Sequence, residues 1–304
     1  MQNELYFKRH TRYAVRCVFV VALCLITGCA RREAPVVIDV NAKSAIIMEV
    51  ESGKVLFEKN ADKRFPPAST TKIMTAITVI ECLPLLEEIT ASLKAVRVEP
   101  IVAGLKPGVK YRAGDLLAAI LIRSGNDAAV VLAEGTAGSE EDFARLMNAK
   151  AGTLGLKDTY FATASGLPTG RKDSQYTTVR DLANMMRYAL RHEIILEMMS
   201  RKEADIYGSD RQRIHLRTIN RSLSREKGTA WGKTGYTREA KRTFVGVDPC
   251  SEPRIVFALL QSTDLWNDIA ALKDQGLEIY EESRRTIVSG IVDWIRSRAE
   301  RILK

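Results

Sequence analysis

The chain has 304 residues, 46% of them hydrophobic and 27% charged, and its 46 Lys and Arg against 37 Asp and Glu give a formal charge of +9. This balance excludes an acidic disordered chain, a collagen-like repeat and a small disulfide-held scaffold, and it supplies enough apolar residues for a sizeable core. The basic residues are scattered, with no basic stripe interleaved with aromatic residues, which argues against nucleic acid, and none of the five cysteines has a spacing suited to a structural metal.

At the N-terminus Lys8, Arg9, Arg12 and Arg16 lead into an apolar run from Cys17 to Ile26, followed by Thr27-Gly28-Cys29. Charged, then apolar, then small is the order of an export signal. The run is about half the roughly 20 residues that a spanning helix needs. Leu25-Ile26-Thr27-Gly28-Cys29 resembles the lipobox of bacterial lipoproteins, which implies that residues 1–28 are removed and that Cys29 carries lipid and tethers the chain to a membrane. The plain alternative, an ordinary signal peptide ending near a cysteine, also exports the protein. Cys82 and Cys250 then remain as mature thiols, and Cys82, ending an apolar helical run, reads as buried.

After a tether over residues 29–35, one domain is expected from 36 to 280. Ala45-Val50 and Lys54-Glu58 read as strands joined at Ser52-Gly53. Thr70 to Leu83 has helical apolar spacing, with Ser69 at its N-cap and Pro84 as its stop. Asp115-Ile122 and Asp127-Glu134 read as helices interrupted by Ser124-Gly125-Asn126, and Glu140-Leu154 and Thr178-Leu190 as further helices. Thr229-Lys233, Thr243-Val247 and Ile255-Leu260 look like strands, with turns at Gly235 and Asp248-Pro249. Strands at both ends and helices between predict an α+β domain, its antiparallel five-stranded sheet closed by the two ends of the chain and flanked by helices. Residues 281–304, with Ile287, Ile291 and Ile295 in line and several arginines, read as an amphipathic basic helix. It suits an anionic membrane surface or, equally, docking on the domain or pairing with another subunit, with Trp294 leaning slightly toward the membrane.

Ser69 and Lys72 stand three residues apart on one helix, hence on one face with Cβ atoms about 5–6 Å apart. A serine hydroxyl is a poor nucleophile without a base, and lysine serves only where burial or a nearby cation lowers its pKa. A serine cap beside a surface lysine is the bland reading of this pair. Two further strings weigh against it. Ser124-Gly125-Asn126 puts polar groups between apolar helices, and Lys233-Thr234-Gly235 ends a strand with a residue that allows close backbone approach. The only histidines, His10, His192 and His215, support no Ser-His-Asp triad; the last two read as structural or surface groups.

In the order SxxK, SxN, KTG, and with flanks Pro67-Ala68-Ser69-Thr70-Thr71-Lys72-Ile73-Met74-Thr75, Asn126-Asp127-Ala128-Ala129, Met147-Asn148-Ala149-Lys150 and Tyr236-Thr237, the chain resembles the serine penicillin-binding proteins and β-lactamases, most closely the low-molecular-mass D-alanyl-D-alanine carboxypeptidases. The resemblance covers about residues 40–280. It implies a β-lactamase/transpeptidase-like fold with a helical subdomain, no cofactor and no metal. It also implies a peptidoglycan stem peptide as substrate, β-lactams as inhibitors and an envelope location. Ser69 would be the nucleophile, Lys72 its base, and Ser124 with Lys233 the path for the proton to the departing D-alanine. Asn126 would hold the peptide amide, Thr234 would bind the substrate's terminal carboxylate, Gly235 would let the substrate backbone approach the strand, and the backbone N–H groups of Ser69 and Tyr236 would hold the oxyanion.

Three departures stand out. The stretch Gln261-Ser262-Thr263-Asp264 lacks the arginine that relatives use to grip the terminal carboxylate, and Arg242 is the candidate replacement. Glu239-Ala240-Lys241-Arg242 replaces an Ala-Gly pair, and about 25 residues follow the match, too few for the family's β-rich second domain. The same motifs allow an endopeptidase that cuts D-alanyl cross-links. A serine β-lactamase would need a glutamate near Tyr160, where Thr159-Tyr160-Phe161 has none. A non-catalytic envelope-binding lipoprotein would be expected to have lost one of the reactive groups.

Overall fold

The computed structural model describes residues 38–170, 175–225, 229–251 and 254–302, and residues 38–304 form one compact unit. The export signal, the tether and Cys29 lie outside the described residues.

In chain order the domain has β1 (Ser44–Glu49), β2 (Val55–Lys59), α1 (Lys72–Cys82), β3 (Glu88–Thr90), β4 (Lys110–Arg112), α2 (Ala113–Ala118), α3 (Asn126–Ala137), α4 (Glu140–Thr153), α5 (Val179–Ala189), α6 (Glu193–Ser200), β5 (Glu203–Tyr207), β6 (Arg213–Arg217), β7 (Trp231–Thr237), β8 (Lys241–Val247), β9 (Ile255–Ser262) and α7 (Leu265–Ile302). The main sheet is antiparallel and five-stranded in the order β2-β1-β9-β8-β7, so the first strand pairs with the last and the chain's ends close the sheet, as expected. β7, which carries Lys233-Thr234-Gly235, is an edge strand.

Both faces of the sheet are covered, so β1, β9 and the second half of β8 read as nearly continuous apolar runs. Alternation divides their side chains. Ile46, Met48, Val245, Val256 and Ala258 pack into the core that holds α1, α3 and α5, while Ala45, Ile47, Phe244, Ile255, Phe257 and Leu259 pack with Leu265, Ile269 and Leu272 of α7. A one-residue slip of β9 would exchange the two sets, and this fixes the register that sets β7 in place. The helices begin where their caps are: Ser139 Oγ accepts the Asp142 N–H at 3.0 Å, and Thr178 Oγ accepts the Asp181 N–H at 3.0 Å.

Several expectations change. Gly235 is not a turn; β7 runs through it to Thr237 and the chain reverses at residues 238–240. Cys82, the last residue of α1, is exposed and free rather than buried, and Cys250 is exposed and free as well. β3 to β6 were not legible, since each buries little beyond one residue and has no periodicity to read. His215 lies on β6 with Nδ1 2.8 Å from Asp205 Oδ1, and His192 precedes α6 beside Glu81, so both are structural or surface groups. α7 is continuous from Leu265 through residue 280 to Ile302. Its first turns dock on the sheet, whereas Ile291, Val292, Trp294 and Ile295 are exposed.

Candidate active site

Ser69 lies in the 3₁₀ turn Ala68–Thr71, which runs directly into α1. Its side chain caps nothing, contrary to the N-cap reading, and so remains available. Continuous helical backbone from Ser69 to Lys72 places both on one face, and Lys72 Nζ is 3.0 Å from Ser69 Oγ. Lys72 is fully buried; its amine also donates to Asn126 Oδ1 at 2.8 Å and to the Ser165 carbonyl at 2.7 Å.

Ser124 and Asn126 come from the break between helices. A π-helical turn, Ala119–Arg123, ends at Ser124 with φ +67°, a left-handed conformation that costs a non-glycine residue roughly 1–2 kcal/mol. Strain of this kind gathers at functional sites. Asn126 opens α3, and its neighbour Asp127 accepts the N–H groups of Ala103, Gly104 and Leu105 at 2.8, 3.0 and 3.2 Å, which ties the 103–105 loop to the site. Sequence reasoning assigned Asp127 no role, although it follows the SxN string directly.

From β7, Lys233 reaches into the same space, 1% exposed, and donates to Ser124 Oγ and to the Thr234 carbonyl, both at 2.8 Å. Gly235 faces the nucleophile turn; a Cβ there would lie 2.8 Å from the Ser69 amide nitrogen and 2.4 Å from Thr243 Oγ1. That close approach is why the strand has glycine. Thr234 and Tyr236 alternate to the other face, opposite Phe244 and Arg242 on β8, and the Arg242 guanidinium stacks 5.9 Å from the exposed Tyr236 ring. Hydrogen bonds thus join Ser69, Lys72 and Asn126 in one group and Ser124 with Lys233 in a second, near enough for the Lys233 charge to act on Lys72, and Gly235 brings the β7 backbone against the nucleophile turn.

Two buried lysines in one cluster set the electrostatics. Burial and then the Lys233 charge hold Lys72 well below the usual lysine range, with Asp127 and Glu140 pulling the other way. Burial lowers Lys233 to about 7. The cluster thus offers a free amine next to a hydroxyl, and a second amine joined to a second hydroxyl. That arrangement can take a proton from a serine as it attacks and return one to a leaving group.

Two neighbours carried no sequence signal, Glu140 and the backbone of Ser165, while Thr75 ends the string Pro67–Thr75 that carries the resemblance but came with no role. The Met147-Asn148 string serves structure, since Asn148 brackets Phe161 through its N–H at 2.8 Å and its carbonyl at 2.7 Å. Tyr160 is half exposed and stacks on Tyr176 at 6.3 Å, with no carboxylate in its place.

Comparison with known proteins agrees with this geometry. Residues 30–263 match the peptidase family described as D-alanyl-D-alanine carboxypeptidase. The chain is 37% identical over 205 residues to D-alanyl-D-alanine carboxypeptidase DacF of Bacillus subtilis, covering 66% of this chain and 52% of that protein. It is 33% identical over 247 residues to DacB2 of Mycobacterium tuberculosis, covering 79% and 84% respectively. Among solved structures, a D-alanyl-D-alanine carboxypeptidase from Mycobacterium tuberculosis superposes with a TM-score of 0.75 at 33% identity, over 80% of this chain and 94% of that one. The chain spans about half the length of the Bacillus relative. With its SxxK, SxN and KTG strings gathered at one edge of an antiparallel sheet, this chain belongs to the D-alanyl-D-alanine carboxypeptidase family of serine peptidases.

Proposed function

We propose that the protein is a serine D-alanyl-D-alanine carboxypeptidase of the cell envelope that trims the terminal D-alanine from peptidoglycan stem peptides. The observation that carries this reading is the Lys72 amine, held toward its neutral form by burial and by Lys233, 3.0 Å from Ser69 Oγ.

Ser69 Oγ bonds to the carbonyl carbon between the two D-alanines as its proton passes to Lys72. The oxyanion so formed is held by the Ser69 and Tyr236 backbone N–H groups. Its collapse breaks the C–N bond, and the departing amine takes a proton from the Ser124 hydroxyl, which Lys233 replenishes across 2.8 Å. Water then adds to the ester carbonyl and gives up its protons, one of which restores Lys233; Lys72 returns its proton to Ser69 Oγ as the C–O bond breaks, and the shortened peptide leaves as a carboxylate. Asn126 positions the peptide amide, and Thr234 with Gly235 lies along the substrate. Arg242, exposed beside Tyr236 and without an ion pair among the described residues, supplies the cation for the terminal carboxylate. A β-lactam acylates the same oxygen.

Intact mass of the chain from residue 30 onward, with and without penicillin, tests this. Wild type is expected to gain one penicilloyl adduct and Ser69→Ala none; an adduct retained by Ser69→Ala would overturn the assignment of the nucleophile. Free D-alanine from a pentapeptide separates a carboxypeptidase from an endopeptidase. The latter reading is favoured by the missing cation in Gln261–Asp264 and would release cross-linked stems instead.

Lipid on Cys29 would hold the domain at the membrane, and α7 would add a second contact through Ile291, Val292, Trp294 and Ile295 beside Arg296 and Arg298. Labelled palmitate incorporated by wild type and not by Cys29→Ser tests the first. Loss of binding to phosphatidylglycerol vesicles on truncation at residue 284 tests the second.

A further inference from the structure

We propose that Glu140 is a positioning residue: by strapping the 163–167 loop it holds the Ser165 carbonyl on Lys72 and so aims the amine's lone pair at Ser69 Oγ. This rests on the peptidase reading above, in which Lys72 is the base.

A neutral amine has two N–H groups and one lone pair in tetrahedral array. Lys72 Nζ has three oxygen neighbours: Asn126 Oδ1 at 2.8 Å, the Ser165 carbonyl at 2.7 Å and Ser69 Oγ at 3.0 Å. The first two can only accept, so they take both N–H groups. The remaining direction, that of the lone pair, then falls on the hydroxyl, the one neighbour able to give a proton. Remove either acceptor and the amine can rotate its lone pair away from Ser69.

Asn126 is held by α3, but Ser165 belongs to no helix or strand, so its carbonyl needs other supports. Glu140 Oε1 accepts the Ala164 N–H at 3.0 Å, and Thr75 Oγ1, one turn beyond Lys72 on α1, donates to the Ala164 carbonyl at 2.6 Å. Thr163 Oγ1 accepts the Gly166 N–H at 3.0 Å, and Gly166 sits so close to the nucleophile turn that a Cβ would lie 1.9 Å from the Ala68 carbonyl. Among the described residues Glu140 is the one charged side chain that straps this loop. It makes no ion pair among the described residues, is half-buried, and takes no part in the proton path. Its charge also reaches Lys72, whose other charged neighbours are Lys233 and Asp127; Glu140 itself faces Lys94, Glu134 and Lys72.

The test is the second-order rate of acylation by a fluorescent penicillin from pH 5 to 10, on the same chain from residue 30, with melting temperature measured alongside. Glu140→Ala loses the strap and is expected to acylate roughly 10- to 100-fold more slowly, as small misplacements of reacting groups do. Glu140→Gln keeps an acceptor for the Ala164 N–H and is expected to stay within about threefold of wild type. Its acid limb should move to lower pH, because removing a nearby negative charge lowers the Lys72 pKa and leaves the amine free in more acidic solution. A merely structural role would not move that limb. A wild-type rate in Glu140→Ala, a Glu140→Gln as slow as the alanine variant, or an unmoved limb each overturns the proposal. If Glu140→Ala does not fold, the Glu140→Gln limb alone decides. An unlabelled wild type overturns the peptidase reading and takes this proposal with it.

Discussion

Lys233 and Gly166 carry the most specific consequences at the scale of single residues. If the active form pairs a neutral Lys72 with a protonated Lys233, acylation is bell-shaped in pH, and its alkaline limb reports the loss of the Lys233 proton near 7. Lys233→Arg keeps the charge at all accessible pH, so the expected result is a slower enzyme whose alkaline limb has moved above pH 9; a limb left near 7 would assign that titration elsewhere. Gly166 has φ +80°, and its missing Cβ makes room for the Ala68 carbonyl. Gly166→Ala should therefore cost about 1–3 kcal/mol of stability and slow acylation as well, read by urea unfolding and penicillin labelling. An alanine variant of normal stability would show that the loop can move off the nucleophile turn without penalty. Ser124 stores strain of the same kind, but its hydroxyl accepts from Lys233, a contact that a glycine, which would fit more easily, could not make.

Elements divide labour along their length. The first turns of α7 complete the outer face of the sheet: Ile269 is fully buried among Phe257, Leu259 and Phe244, while Ile291 and Ile295 are about half exposed. Ile269→Ala should cost about 2–5 kcal/mol, and Ile295→Ala under roughly 0.5 kcal/mol, by chemical denaturation. A comparable loss at Ile295 would mean that the far end of the helix packs on something in the folded domain. β7 divides in the same way. Its alternation sends Lys233 and Gly235 toward the nucleophile turn and Thr234 and Tyr236 to the other face.

For the molecule as a whole, burying two lysines opposes stability in order to permit chemistry. In the unfolded chain Lys233 keeps its proton to about 10.4; folded, it does so only to about 7. Between those values the unfolded state binds more protons, so the Lys233 contribution to stability is least below pH 7 and improves as pH rises toward 10. Lys72, also depressed by burial, acts with the same sign. Lys233→Met removes this dependence. The melting temperature of the variant minus that of wild type should therefore fall as pH rises from 6 to 10, and a difference that stays constant would mean that Lys233 keeps its proton in the folded protein.

The three reactive strings were legible because chemistry demands particular side chains at short spacings: a hydroxyl and an amine on one helical face, a hydroxyl and an amide at a helix break, an amine and a glycine on a strand. The sheet was legible from strands at both ends of the chain, because a terminal apolar strand without local partners must pair with another distant in sequence. What the residues alone did not disclose depends on meeting across the fold. Gly235 looked like a turn, because the Ser69 amide that requires it lies 166 residues away in sequence. Cys82 looked buried, because helical periodicity says nothing about where a helix outruns its core. The Ser165 carbonyl could not be read at all, since every residue has one and only the packed loop turns this one toward Lys72. Residue identity determined which groups could react; tertiary packing decided which of them were dry, which were protonated and which way each one points.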